Sequence, residues 1–143
     1  MYVTFPEIDS LSITLLVDNY ADRLLPSSLI AIRPPMMKNE QFLPPPLPIT
    51  EHGYSALIKV ASNENMVYQN KDELLNENVL LFDCGTSENG VLSNVEILGI
   101  NFNSINSIIL SHGHFDHFTG LPSILKRISE PIRLICHPDA FSR

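Results

Sequence analysis

The sequence predicts an α/β fold, a mixed sheet with helices packed on the outside. Three observations point to it. Short apolar runs rich in β-branched residues recur along the chain, and two stretches carry apolar residues at helical spacing. In the second half the two kinds alternate as helix, strand, histidine-rich loop, helix and strand. With 143 residues, 44% of them hydrophobic and 17% charged, the chain suits one domain with a true core.

Ser12-Ile13-Thr14-Leu15-Leu16-Val17 has the partly alternating character of a first strand, and Asp18-Asn19 supplies a turn-forming end. Seven of the eleven prolines lie between Pro26 and Pro48, including Pro34-Pro35 and Pro44-Pro45-Pro46, so about 21–50 reads as a long loop insertion without regular structure. Tyr54 to Val60 reads as a second strand. Val79-Leu80-Leu81-Phe82 reads as a third, apolar enough to be buried on both faces, and Asp83-Cys84-Gly85-Thr86 ends it.

Val91, Val95 and Leu98 recur at helical spacing before Gly99, a helix stop. Ser107-Ile108-Ile109-Leu110 forms a fourth buried strand, and Leu121, Ile124, Leu125 and Ile128 mark one face of a helix with Pro122 in its first turn. Ile132 to Cys136 is the last strand. No internal repeat is evident.

A net charge of −7 without a basic patch argues against nucleic-acid binding. No apolar run is long enough to span a bilayer, and the first residues lack the basic start of a signal peptide, so a cytoplasmic protein is expected. Cys84 and Cys136, each in a strand-like stretch, are expected to be reduced core thiols. Arg33 and Lys38 could meet an anionic substrate but are more simply solvated.

Three of the five histidines fall within His112-Gly113-His114-Phe115-Asp116-His117, directly after the fourth strand. Where the chain leaves a strand still extended, residues two apart project to one side, so His112 and His114 can converge on one ion. Asp116 and His117 follow where the chain turns, offering an oxygen and a nitrogen to a second ion. Two divalent metal ions are therefore expected, with zinc leading and iron or manganese also compatible with imidazole and carboxylate donors.

The run Leu110 to Leu121 resembles the signature of the metallo-β-lactamase-fold superfamily, and Leu81-Phe82-Asp83-Cys84-Gly85 resembles that family's strand-end aspartate motif, with Cys84 where threonine is common. Asp18-Asn19, Glu51-His52-Gly53-Tyr54-Ser55 and His137-Pro138-Asp139-Ala140-Phe141 resemble the branch of dihydropterin–ribofuranosylaminobenzene 5'-phosphate synthases of methanopterin biosynthesis. The resemblance implies that His112 and His114 serve one metal and Asp116 and His117 the other, with Asp116 also the candidate catalytic carboxylate. It implies that Asp83 orients the histidine loop by hydrogen bonding, and it makes His52 and His137 candidate substrate-side residues.

The implied fold is the first half of an αββα sandwich, so residues 1–143 read as a partial, truncated domain. The implied activity is a metal-dependent transferase joining a dihydropterin-methyl diphosphate to the aminobenzene ribosyl phosphate. The alternatives are a hydrolase of a small phosphate or ester substrate, or an inactive fragment. Four ligands shared by two ions leave both sites underfilled, so a homo-oligomer or a complementing second half is an expected partner beside the small-molecule substrate.

Overall fold

A computed structural model of the chain describes residues 7–22, 24–33, 37–38, 41–42, 47–62 and 77–142. Five strands form the main sheet in the order β1 (Ser10–Val17), β4 (Ser55–Ala61), β5 (Glu77–Phe82), β6 (Ser107–Ile109) and β7 (Arg133–Ile135). β1, β4 and β5 pair antiparallel, whereas β5, β6 and β7 run parallel, so the sheet is mixed. The parallel half holds the crossover helix α1 (Gly90–Ile97), and two short helices, α2 (Phe115–Phe118) and α3 (Leu121–Leu125), follow β6. The observed class is the α/β class that the sequence predicts.

The strands form where β-branched and large apolar side chains alternate on a pleated surface. Leu57, Leu81 and Ile108 lie side by side on three adjacent strands, each at most 1% exposed, and Val91, Val95, Leu121 and Ile124 from α1 and α3 cover them. Each such side chain contributes about 1.5–3 kcal/mol by leaving water. A register shift between Leu15 and Val17 lets consecutive residues Leu16 and Val17 both enter this core. α1 ends as its glycine predicts: Gly99 takes φ +67°, and the N–H groups of Gly99 and Ile100 donate to the carbonyls of Glu96 and Val95.

Several expectations are corrected. β5 is fully buried on one face only, because Val79 and Leu81 point at the helices while Leu80 is half-buried on the other side. On that second face Leu11, Ile13 and Leu15 of β1 are more than half exposed. The proline-rich stretch is not wholly irregular, since Met37–Lys38 (β2) and Gln41–Phe42 (β3) pair as a small antiparallel ladder. Pro34-Pro35 and Pro44-Pro45-Pro46 lie outside the described residues, as does the Lys38 side chain. Arg33 is exposed.

The second helix is shorter than its apolar periodicity predicts. α3 stops at Leu125, which is 42% exposed, and Ile128 reaches the core from beyond the helix end. β7 is a strand as expected but an exposed edge, which its apolar composition does not announce. Cys84 and Cys136 are both free thiols, the first buried and the second partly so. No helix among the described residues is long and apolar enough to cross a membrane.

Candidate metal centre

The candidate site forms at the carboxyl ends of β5 and β6, where two parallel strands release their chains side by side. Asp83 is the first residue past β5 and the only described non-glycine residue with positive φ, at +57°. Aspartate tolerates this left-handed conformation better than most side chains. Its main chain is held in place by two hydrogen bonds. The Asp83 N–H donates to the Ile109 carbonyl at 2.8 Å, and the Ser55 hydroxyl donates to the Asp83 carbonyl at 2.9 Å.

The carboxylate thereby turns towards the loop after β6, and it is 1% exposed. Oδ1 accepts the main-chain N–H of Ser111 at 2.8 Å, while Oδ2 accepts both the Ser111 hydroxyl and His117 Nδ1 at 2.7 Å. A carboxylate this buried is stable because its oxygens are so thoroughly hydrogen-bonded. Its three donors come from one loop, so the charge ties that loop's start to its end.

His112, His114 and His117 gather at the mouth of this network. The His112 ring centroid lies 4.5 Å from that of His114 and 4.3 Å from that of His117. His114 keeps extended dihedrals as the residue before α2, and Asp116 and His117 sit in the single turn that α2 makes. Asp116 Oδ2 is 3.6 Å from His117 Nε2.

His52 also reaches this cluster, its Nε2 being 3.4 Å from Asp116 Oδ2 with the side chain 74% exposed. Its loop is anchored from several directions. Buried Asn94 of α1 donates to the carbonyls of Leu16 and Ile49 and accepts the Ile49 N–H. Glu51 Oε1 accepts the main-chain N–H groups of Thr86 and Ser87, and the Thr86 hydroxyl donates to the His52 carbonyl. Gly53 lies so close to the loop that a Cβ there would stand 2.5 Å from the Asp116 carbonyl oxygen.

His137 is placed differently. It precedes a short 3-10 turn, Pro138–Phe141, and accepts the Asp139 N–H through Nδ1 at 3.2 Å, with its side chain 70% exposed. The turn itself does meet the site, because a Cβ on Gly113 would lie 2.2 Å from the Ala140 carbonyl oxygen, and Phe141 packs edge-on against Phe118. Burial pushes the Cys84 thiol up to about 12, with the neighbouring Asp83 charge adding to it.

The donor chemistry suits a divalent ion of the zinc type: three imidazoles and a carboxylate share one rim. The donor number stops short, since among the described residues no group of three or more His, Cys, Asp or Glu side chains is arranged to hold a metal ion. His112 stands as near to His117 as to His114, so ring distances alone do not divide the donors between two ions, and a catalytic zinc takes about three protein ligands. The residues fit such an ion in donor type, and a complete site needs further donors.

Sequence reasoning gave no role to Ser111 or Glu51, although both lie in the motifs it used, and did not single out Asn94. Ser111 stands beside the histidine motif, and Glu51 beside His52, so position offered a hint for both. The buried Asn94 between Val91 and Val95 on the apolar face of α1 was a polar residue where a core side chain belongs.

Residues 53–135 match the protein family described as anti-Pycsar protein Apyc1. The chain is 40% identical over 92 residues to the 7,8-dihydropterin-6-methyl-4-(beta-D-ribofuranosyl)-aminobenzene-5'-phosphate synthase of Methanocaldococcus jannaschii, covering 64% of this chain and 28% of the synthase. It is 38% identical over 65 residues to ribonuclease Z of Treponema denticola, covering 42% of this chain and 20% of that one. Among solved structures, Rm3 metallo-beta-lactamase aligns with 59% of this chain and 27% of its own, at 24% identity and a TM-score of 0.41. The chain thus spans less than a third of the length of these relatives.

Proposed function

Because this chain belongs to the family of the anti-Pycsar protein Apyc1, within the metallo-β-lactamase-fold superfamily and near its dihydropterin synthase branch, we propose that it supplies the first ligand loop of a two-metal enzyme acting on a phosphorylated small molecule. The finer reading is transfer: joining a dihydropterin-methyl diphosphate to an aminobenzene ribosyl phosphate, which the motif resemblance implies and which the 40% identity to a synthase named for a dihydropterin-methyl aminobenzene phosphate product supports. The observation that carries the metal reading is the Asp83 network. His117 Nδ1–H is spent on Asp83 Oδ2, so the Nε2 lone pair is left for a ligand bond.

In this reading His112 and His114 hold one ion and Asp116 and His117 the other, with remaining donors from a second half or a second copy. Divalent ions there would neutralise charge on phosphate oxygens and ease departure of diphosphate. The chain's own residues do the rest. Asp83 fixes the loop, Asp116 places a carboxylate at the reacting face, and exposed His52 stands 3.4 Å from it on the side open to substrate. His137 reaches substrate only through the turn that it begins.

A hydrolase of a small phosphate or ester substrate is the second reading, supported by the match to ribonuclease Z. One incubation separates the two. With zinc, the pterin diphosphate and the aminobenzene partner, a coupled product that forms only when both are present supports transfer, and diphosphate release without the partner supports hydrolysis. Elemental analysis of the purified chain beside His114→Ala comes first: metal in the wild type and its loss in the variant are expected if a second copy completes the sites, and wild type without metal overturns completion by a second copy and makes a second half essential.

A further inference from the structure

We propose that Ser111 is a positioning residue that selects the tautomer of His112, so that one buried carboxylate, Asp83, governs a histidine in each half of the site. The proposal rests on the reading of the histidine loop as a metal centre. Its geometry is a chain of short hydrogen bonds. The Ser111 hydroxyl lies 2.7 Å from Asp83 Oδ2 and 2.8 Å from His112 Nδ1.

A hydroxyl has one proton to give, and a carboxylate oxygen can only accept. The Ser111 proton therefore goes to Asp83, and the contact to His112 must run the other way, with Nδ1–H donating to the Ser111 oxygen. His112 is left with its Nε2 lone pair unprotonated. His117 reaches the same state directly, by donating Nδ1–H to the same Oδ2. Asp83 thus sets one imidazole at first hand and a second through a serine.

The arrangement separates Ser111's two contributions. Its main-chain N–H, bonded to Asp83 Oδ1, builds the loop and survives any substitution except proline, whereas the hydroxyl donates to Asp83 Oδ2 and is the one group of Ser111 that meets His112. Ser111→Ala therefore keeps the loop's anchor and deletes the tautomer control. Ser111→Thr restores the hydroxyl, and the extra methyl has room because Ser111 is exposed.

The test uses the 143-residue chain in three forms, wild type, Ser111→Ala and Ser111→Thr. Long-range 15N–1H correlation spectra of the metal-free protein at alkaline pH report which ring nitrogen carries the proton. Zn²⁺ titration is the second readout. Expected are His112 in the Nδ1–H form in wild type and Ser111→Thr, a mixture of tautomers in Ser111→Ala, and His117 unchanged in all three. Zinc affinity should fall about 10- to 100-fold in Ser111→Ala and recover in Ser111→Thr.

A wild-type His112 found protonated on Nε2 overturns the proposal without any variant. So does a Ser111→Ala protein whose His112 remains wholly Nδ1–H, or a Ser111→Thr protein as weak for zinc as Ser111→Ala. If the tautomers behave as expected while wild type binds no zinc, completion of the metal sites by this chain or its oligomer fails and the tautomer control by Ser111 stands.

Discussion

Glu51 Oε1 accepts the main-chain N–H of Thr86 at 3.0 Å and, from the same oxygen, that of Ser87. The residue that carries His52 towards the loop is thus bonded to the segment that follows Asp83. One carboxylate on a connecting loop holds together the two pieces of chain between which the site opens.

Removing that brace should cost stability. Hydrogen bonds to a charged acceptor are worth about 1.5–3 kcal/mol each, and the freed N–H groups can partly turn to water. Glu51→Ala is expected to lower unfolding free energy by about 2–3 kcal/mol. Glu51→Gln retains an acceptor oxygen and should lose about half as much. Urea unfolding of the three proteins checks the order, and equal stability of Glu51→Ala and wild type would remove the brace from the account.

Gly113 and Gly99 should respond differently to alanine. At Gly113 a Cβ would sit 2.2 Å from the Ala140 carbonyl oxygen, so the 3-10 turn must move off the histidine loop. At Gly99 nothing lies within 4 Å, and only the left-handed φ opposes a side chain, at about 1–2 kcal/mol. Gly113→Ala should therefore disturb the rings of His112 and His114 in NMR spectra, while Gly99→Ala lowers the melting temperature and leaves those rings alone.

What the sequence could show was local. Gly99 after a helical repeat, the strand before His112 and the two-residue step from His112 to His114 are readable because each depends on near neighbours. The brace from Glu51 spans 35 positions to Thr86, and the bond from Asp83 to His117 spans 34. No periodicity encodes such a pairing. The resemblance to known motifs pointed to Asp83, but it assigned no role to Ser111, whose meaning depends on which atoms its hydroxyl meets. The exposed edge at β7 escaped for a similar reason: an apolar strand reads the same in the middle of a sheet and at its margin.

Alkaline pH should weaken the fold through Cys84. Its thiol is pushed from an ordinary 9.0 to about 12, first by burial and second by the charge of Asp83. Between those values the unfolded chain loses the proton and the folded chain keeps it. The unfolded state then binds fewer protons, and stability falls as pH rises, by at most about 1.4 kcal/mol per pH unit. Cys84→Ala should flatten this slope, whatever its effect at neutral pH. Paired urea titrations above and below the ordinary thiol value test it, and parallel slopes would refute it. In the folded wild type, a thiol reagent should modify partly exposed Cys136 and spare Cys84.

Asp83→Asn and Asp83→Ala separate the backbone role of this residue from its charge. Asparagine accepts the left-handed φ of +57° nearly as well as aspartate, whereas alanine does not, so Asp83→Ala should be less stable than Asp83→Asn by about 1 kcal/mol or more. The amide, however, can present only one oxygen. If that oxygen keeps the Ser111 N–H, an NH2 group faces the Ser111 hydroxyl and His117 Nδ1, where two donors now point. His117 can satisfy it only by accepting at Nδ1, which moves its proton to Nε2 and takes away the lone pair offered to a metal. Asp83→Asn is therefore expected to remain folded, to show His117 as the Nε2–H tautomer, and to bind Zn²⁺ at least 10-fold more weakly than wild type. A folded Asp83→Asn protein with undiminished zinc affinity would mean that the carboxylate supports the fold alone.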